Sequence, residues 1–188
     1  FIGIGLINSS LARDLQGKGF YESSVAFSRT QKTRNILKKL KIVDKVEDNY
    51  RDTVKNADII IIGVPVEAFS SVIKKMSGYL KPGAIVTDVG SVKKSLIKIS
   101  EKVLSKDVDF IPGHPIAGTE NSGPEAGFEG LFKGGYCILT PNALVRKESL
   151  QVVKKMWNLV GMKVDIMDPD YHDMVLAITS HIPHIIAY

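Results

Sequence analysis

Four consecutive isoleucines, Ile59–Ile62, sit inside residues 57–64, a run without apolar-polar alternation that has Gly63 and Pro65 at its far end. A strand with one face in water alternates, so a run this uniform fits a strand buried on both faces, as in a parallel sheet covered by helices on both sides. Parallel neighbours require a crossover, and the rest of the chain supplies candidates. Helical patterns are expected at residues 6–15, 31–40, 67–76, 93–104 and 147–159. Between them, strands are expected at residues 25–27, 84–88, 109–111, 136–140 and 163–167, with residues 1–2 reading as the end of an earlier strand. A turn is expected at Lys81-Pro82-Gly83. Residues 113–135 read as a long Gly-rich loop, and loops of that length inside a domain are usually functional. From Asp170 the pattern turns helical and apolar.

The 188 residues are 44% hydrophobic and 24% charged, with 16 glycines and 8 prolines, which excludes disordered, collagen-like and coiled-coil classes. Residues 59–66, the longest apolar stretch, fall far short of the roughly 18 to 20 residues of a membrane span, so no membrane partner is expected. Cys137 stands alone and residues 1–6 lack the cationic start of a secretory signal, so a reducing cytoplasm is the expected location. Lys and Arg number 25 against 20 Asp and Glu, an excess of +5 that suits an anionic small molecule as readily as nucleic acid. The lysines at Lys38, Lys39 and Lys41, at Lys74 and Lys75, at Lys93 and Lys94, and at Lys154 and Lys155 have no interleaved aromatics. They read as solvated helix faces, and no nucleic-acid partner is expected.

The chemistry begins at Gly3-Ile4-Gly5-Leu6-Ile7-Asn8, which follows a strand end and opens a helix, the setting of a dinucleotide fingerprint. Gly3 permits a tight turn, Gly5 lets a pyrophosphate approach the backbone, and the helix N-terminus at Leu6 and Ile7 favours an anion. Asn8 stands where a third glycine serves helix packing. Val64 and Pro65 follow the isoleucine strand and are expected beside the same cofactor. The next strand ends Phe27-Ser28-Arg29-Thr30, without the carboxylate that accepts from an NAD ribose. Ser28, Arg29 and Thr30 instead suit a 2′-phosphate, so NADP is favoured and NAD remains possible, with Arg29 then an exposed loop cation.

Two further clusters, Asp88 to Lys93 and His114 to Glu120, fall at later strand ends and should face the same crevice. His114 is a candidate base or a structural histidine, and Ser91 a site residue or the N-cap of the following helix. Near the end stand His172-Asp173 and Ser180-His181-Ile182-Pro183-His184, whose histidines line a pocket or pack a helix. Their spacing offers no complete zinc site, so no metal is expected.

Together the glycine turn, Asp88 to Lys93, Gly113 to Glu120, His172-Asp173 and Ser180 to His184 resemble the prephenate and arogenate dehydrogenase family, including the broad-specificity cyclohexadienyl dehydrogenases. The resemblance implies NAD(P)-dependent oxidative decarboxylation of prephenate to 4-hydroxyphenylpyruvate, or of arogenate to tyrosine. His114 would deprotonate the ring C4 hydroxyl, with Ser91 beside it and the nicotinamide. Thr119 and Glu120 would line the mouth of the crevice, and His181, His184 and Asp173 would position the substrate.

The expected fold is therefore a doubly wound, mostly parallel Rossmann-type α/β domain over residues 1–168. The resemblance implies that residues 169–188 are the first helix of an all-helical domain that pairs two subunits as a homodimer and supplies a substrate arginine, and the chain reads as part of a longer protein. A β-hydroxyacid or 6-phosphogluconate-type dehydrogenase shares such an architecture, though its base is a lysine on the helical domain. A non-catalytic NADP-binding regulatory module is the alternative outside enzymes.

Overall fold

Residues 1–178 are described by the structure, a computed structural model. From the start, helix α1 (Leu6–Leu15), strand β1 (Val25–Phe27), α2 (Gln31–Leu40), β2 (Lys45–Glu47), α3 (Tyr50–Val54) and β3 (Ile59–Ile62) follow in turn. Next come α4 (Val66–Ser77), β4 (Ile85–Asp88), α5 (Lys94–Val103) and β5 (Asp109–Ile111). Every pairing among β1 to β5 is parallel, and Ile2 bridges both Phe27 and Ile62, giving the order β2-β1-Ile2-β3-β4-β5. This is a doubly wound order in which the winding reverses between Ile2 and β3, and such sheets bind ligands at that reversal, outside the carboxyl ends of the strands.

A smaller sheet continues from β5. Strand β6 (Gly113–Pro115) pairs antiparallel with β7 (Tyr136–Leu139), and after helix α6 (Lys147–Leu159) strand β8 (Lys163–Ile166) pairs parallel with β7. Helix α7 (Pro169–Leu176) follows, capped by the Asp168 carboxylate, which accepts from the N–H groups of Asp170 and Tyr171.

The isoleucine run is buried on both faces as its composition demands. Ile60 and Ile62 pack with Phe69, Ile73 and Met76 of α4 and Leu96 of α5. Ile61 points the other way, among Leu11 and Leu15 of α1 and Val153, Met156 and Trp157 of α6. Burying each such isoleucine contributes about 1.5–3 kcal/mol, so this strand alone fixes helices to both sides of the sheet. A third cluster joins Ala12, Ala26 and Leu37 beneath α2.

Several sequence expectations need correction. β2 and α3 were not foreseen; each is short, and α3 is held by Asn49, whose side chain accepts from the N–H of Asp52. The expected loop at residues 113–135 opens with β6, which shows no periodicity because it is three residues long and owes its form to pairing with β7. The remainder of that loop, with a 3-10 turn at Pro124–Ala126, lies on α1. There Ser10 Oγ accepts from the N–H of Phe128 at 3.1 Å and Asp14 Oδ1 from that of Gly130 at 2.8 Å. These contacts give two buried polar residues of α1, Ser10 and Asp14, their partners.

Candidate functional site

The glycine turn is sterically obligatory. Gly3 has φ +79°, and a Cβ there would lie 2.6 Å from Val64 Cγ1 and 2.8 Å from the carbonyl oxygen of Gly63. Asn8 explains the missing third glycine: its Nδ2 donates to the Gly3 carbonyl at 2.7 Å from a fully buried position, locking the turn to the helix. Gly5 is the N-cap of α1 and offers no side chain to the first-turn N–H groups, while a Cβ on it would meet nothing within 4 Å. Leu6 and Ile7 open the helix and Val64 and Pro65 lead into α4, so the residues expected around a dinucleotide adjoin the point where the winding reverses. An uncapped N-terminus beside an obligatory glycine turn fits a pyrophosphate.

At the end of β1, Ser28 is nearly buried while Arg29 and Thr30 are exposed. The Arg34 guanidinium donates to the carbonyls of Ser28 and Arg29 at 2.8 and 3.0 Å, and Thr30 caps α2 by accepting from the N–H of Thr33. A cavity of about 1160 Å³, bordered by Val25, Lys45 and Ile59, lies at the opposite, amino ends of the strands, away from these residues.

At the end of β4 a buried ion pair replaces an expected surface feature. Lys93 belongs to a lysine pair that reads as solvated, yet its side chain is wholly buried. Its ammonium lies 2.5 Å from Asp88 Oδ2 and donates to the Gly113 carbonyl at 2.7 Å. Asp88 also accepts from the N–H groups of Gly90 and Gly113, at 2.8 and 3.2 Å. Burial pushes the Asp88 carboxyl up and the Lys93 ammonium down from their ordinary values, against their mutual attraction. Lys94, by contrast, is exposed and pairs with Asp170.

β6 carries His114 into this setting. His114 Nδ1 lies 2.9 Å from Nε2 of the fully buried His172, whose Nδ1 lies 2.8 Å from Asp173 Oδ1. The Asp173 carboxylate also accepts from the N–H groups of Lys93 and Lys94, at 2.8 and 3.0 Å. It therefore caps α5, so Ser91 is not that helix's N-cap; Ser91 is exposed in the preceding turn, and Lys93 holds the cap position with no side-chain bond. Burial pushes the Asp173 carboxyl up, but hydrogen bonds from His172 and from the Lys94 and Lys93 backbone outweigh it and hold it below the ordinary carboxylate value.

Thr119 and Glu120 are exposed on the loop after β6, where Thr119 Oγ1 accepts from the N–H of Asn121. His181 and His184 lie outside the described residues. Among the described residues no group of three His, Cys, Asp or Glu is placed to hold a metal ion, and no helix is long and apolar enough to cross a membrane. The sequence assigns no site role to His172, which it leaves between pocket lining and helix packing, or to Lys93, which closes the Asp88 cluster but reads as solvated. The signals available were the adjacent His172-Asp173 pair and an aspartate, Asp88, five positions before the lysine.

Residues 11–166 match the family described as the prephenate dehydrogenase, nucleotide-binding domain. The chain is 38% identical over 187 residues to the cyclohexadienyl dehydrogenase of Zymomonas mobilis, and the match covers all of this chain but 64% of that protein. Aquifex aeolicus prephenate dehydrogenase, solved in complex with hydroxyphenyl propionate and NAD+, superimposes with a TM-score of 0.91 at 35% identity. That match covers 99% of this chain and 65% of the solved one. Synechocystis arogenate dehydrogenase superimposes at 0.89 with 32% identity, over 97% of this chain and 63% of that one. The chain thus spans a little under two thirds of these relatives.

Proposed function

Because the chain belongs to the prephenate dehydrogenase family, we propose that it carries the dinucleotide site and catalytic base of an enzyme that oxidatively decarboxylates prephenate or arogenate. The observation that carries this reading is the hydrogen-bonded series His114, His172, Asp173 beside the Asp88 strand end. A carboxylate at Asp173 accepts from His172 Nδ1–H, which leaves His172 Nε2 as an acceptor. His114 then donates through Nδ1–H, and its own Nε2 is the unprotonated nitrogen.

Such a nitrogen takes the proton of the ring C4 hydroxyl as C4 is oxidised, and the charge gained by the His114 ring is stabilised through His172 and Asp173. A bound nicotinamide supplies the acceptor for the C4 hydride. Cleavage of the bond to the C1 carboxylate releases CO2 and leaves its electron pair in the ring, which becomes aromatic as the C4 oxygen recovers a proton from His114. Ser91 is assigned beside the reacting carbon, Thr119 and Glu120 at the mouth, and His181 and His184 with Asp173 around the substrate.

The cofactor assignment is NADP in preference to NAD, supported by the absence of a carboxylate at the end of β1 and the exposed Arg29 beside Ser28 and Thr30. The dinucleotide domain is assigned to residues 1–168, with α7 starting the next one. The pairing of two copies and a substrate arginine are assigned to sequence matching the remaining third of the relatives.

The test is turnover by the intact protein of prephenate and arogenate, each with NAD and NADP. His114→Asn should lower turnover by roughly 10² to 10⁴ while cofactor affinity stays unchanged. Turnover of neither substrate, or a His114→Asn variant with the parental rate, overturns the reading.

A further inference from the structure

We infer that Lys93 is a positioning residue for His114, acting with Asp88 through the peptide groups of Gly113. Among the described residues β6 pairs with one strand, β7. The N–H of Gly113 is taken by Asp88 Oδ1 and its carbonyl by the Lys93 ammonium, so both backbone groups of the residue before His114 are held by one ion pair. The fit is close. A Cβ on Gly113 would lie 2.9 Å from the Asp88 carbonyl oxygen, so only glycine brings β6 near enough to the end of β4.

The ring of His114 is held by a second route that ends at the same residue. His172 bonds the ring, Asp173 bonds His172, and Asp173 accepts from the backbone N–H of Lys93. Lys93 therefore anchors the main chain of the base with its side chain and the ring partner of the base with its peptide group.

Stability alone does not account for such a pair. Replacing both members of a buried ion pair by groups of similar volume is often neutral or stabilising, whereas removing one member leaves a buried charge without a partner. What apolar substitutes cannot supply is a pair of directional hydrogen bonds to the two peptide groups that flank one residue. Placement matters to catalysis far more steeply than to folding, since displacing a reacting group by about 1 Å can cost on the order of 10² in rate.

The inference rests on His114 as the base, and its test separates the two. In the intact protein, Lys93→Met and the double variant Asp88→Asn with Lys93→Met are compared with the parent by melting, cofactor binding and steady-state kinetics. The single variant should melt lower because Asp88 loses its counter-charge, and the double variant should recover the parental melting temperature. In both, kcat should fall by roughly 10², with KM for the substrate and the cofactor Kd changed by less than about threefold. The double variant carries the test if the single one does not fold. Parental melting in the double variant with kcat within about threefold of the parent overturns the inference. Proton NMR of the ring N–H groups supplies a readout that needs no turnover: the signal of the His114–His172 hydrogen bond should broaden or vanish in both variants. If the parent turns over neither substrate, the functional reading fails while this signal still decides the placement. A signal unchanged in the double variant also overturns the inference.

Discussion

Ser28 follows β1 at the place where a carboxylate would select NAD, so one substitution there tests the cofactor assignment. Ser28→Asp places a negative charge where the 2′-phosphate is assigned. It should weaken NADP relative to NAD by about 1.4 kcal/mol or more, a tenfold shift readable in the two dissociation constants. Equal constants for NADP and NAD in the parent would refute the assignment. Residues differ in how plainly they announce themselves. The placement of Gly3 follows from its sequence context, because a glycine between a strand and a helix has few other uses. Lys93 did not announce itself: a lysine beginning a basic helix looks solvated until the fold puts Asp88 and Gly113 around it.

Among the elements, α1 joins the dinucleotide turn to the long loop. A Cβ on Gly127 would lie 1.9 Å from Ser9 Oγ and 2.9 Å from the backbone nitrogen of Ser10, so the loop rests directly on helical backbone that cannot yield. Gly127→Ala should lift the loop, disturb the bonds of Phe128 and Gly130 to Ser10 and Asp14, and destabilise the protein by about 1–3 kcal/mol. Denaturant melts check this, and a midpoint equal to that of the parent would show that the loop is not packed on α1. The polar run Asn8-Ser9-Ser10 is unusual for a buried helix, and its partners differ in range: Asn8 donates to the Gly3 carbonyl and Ser9 to that of Leu6, whereas Ser10 accepts from a loop well over a hundred positions later.

At the scale of the whole molecule, α7 is tied to α5 through Asp173, and this contact carries a pH dependence. Asp173 is held below its ordinary carboxylate value, so its contribution to folding is present above the unfolded pKa of about 3.9 and is lost as pH falls through the lower folded value. Asp173→Asn should therefore lower the melting temperature at neutral pH, with the gap to the parent narrowing as pH falls through the carboxylate range; a gap that stays constant with pH would refute the assignment. The sequence by itself determined the alternation of buried strands and helices and the glycine turn, because these rest on local periodicity and steric limits that any fold must obey. It also marked His114 as a candidate base, because the histidine falls on a strand end. Only the tertiary structure decided that β6 is a strand, that Lys93 is buried and that His172 stands behind His114. Each of these depends on partners brought together from residues 20 to 80 positions apart, and hydrogen bonds across such separations leave no periodic trace in the chain.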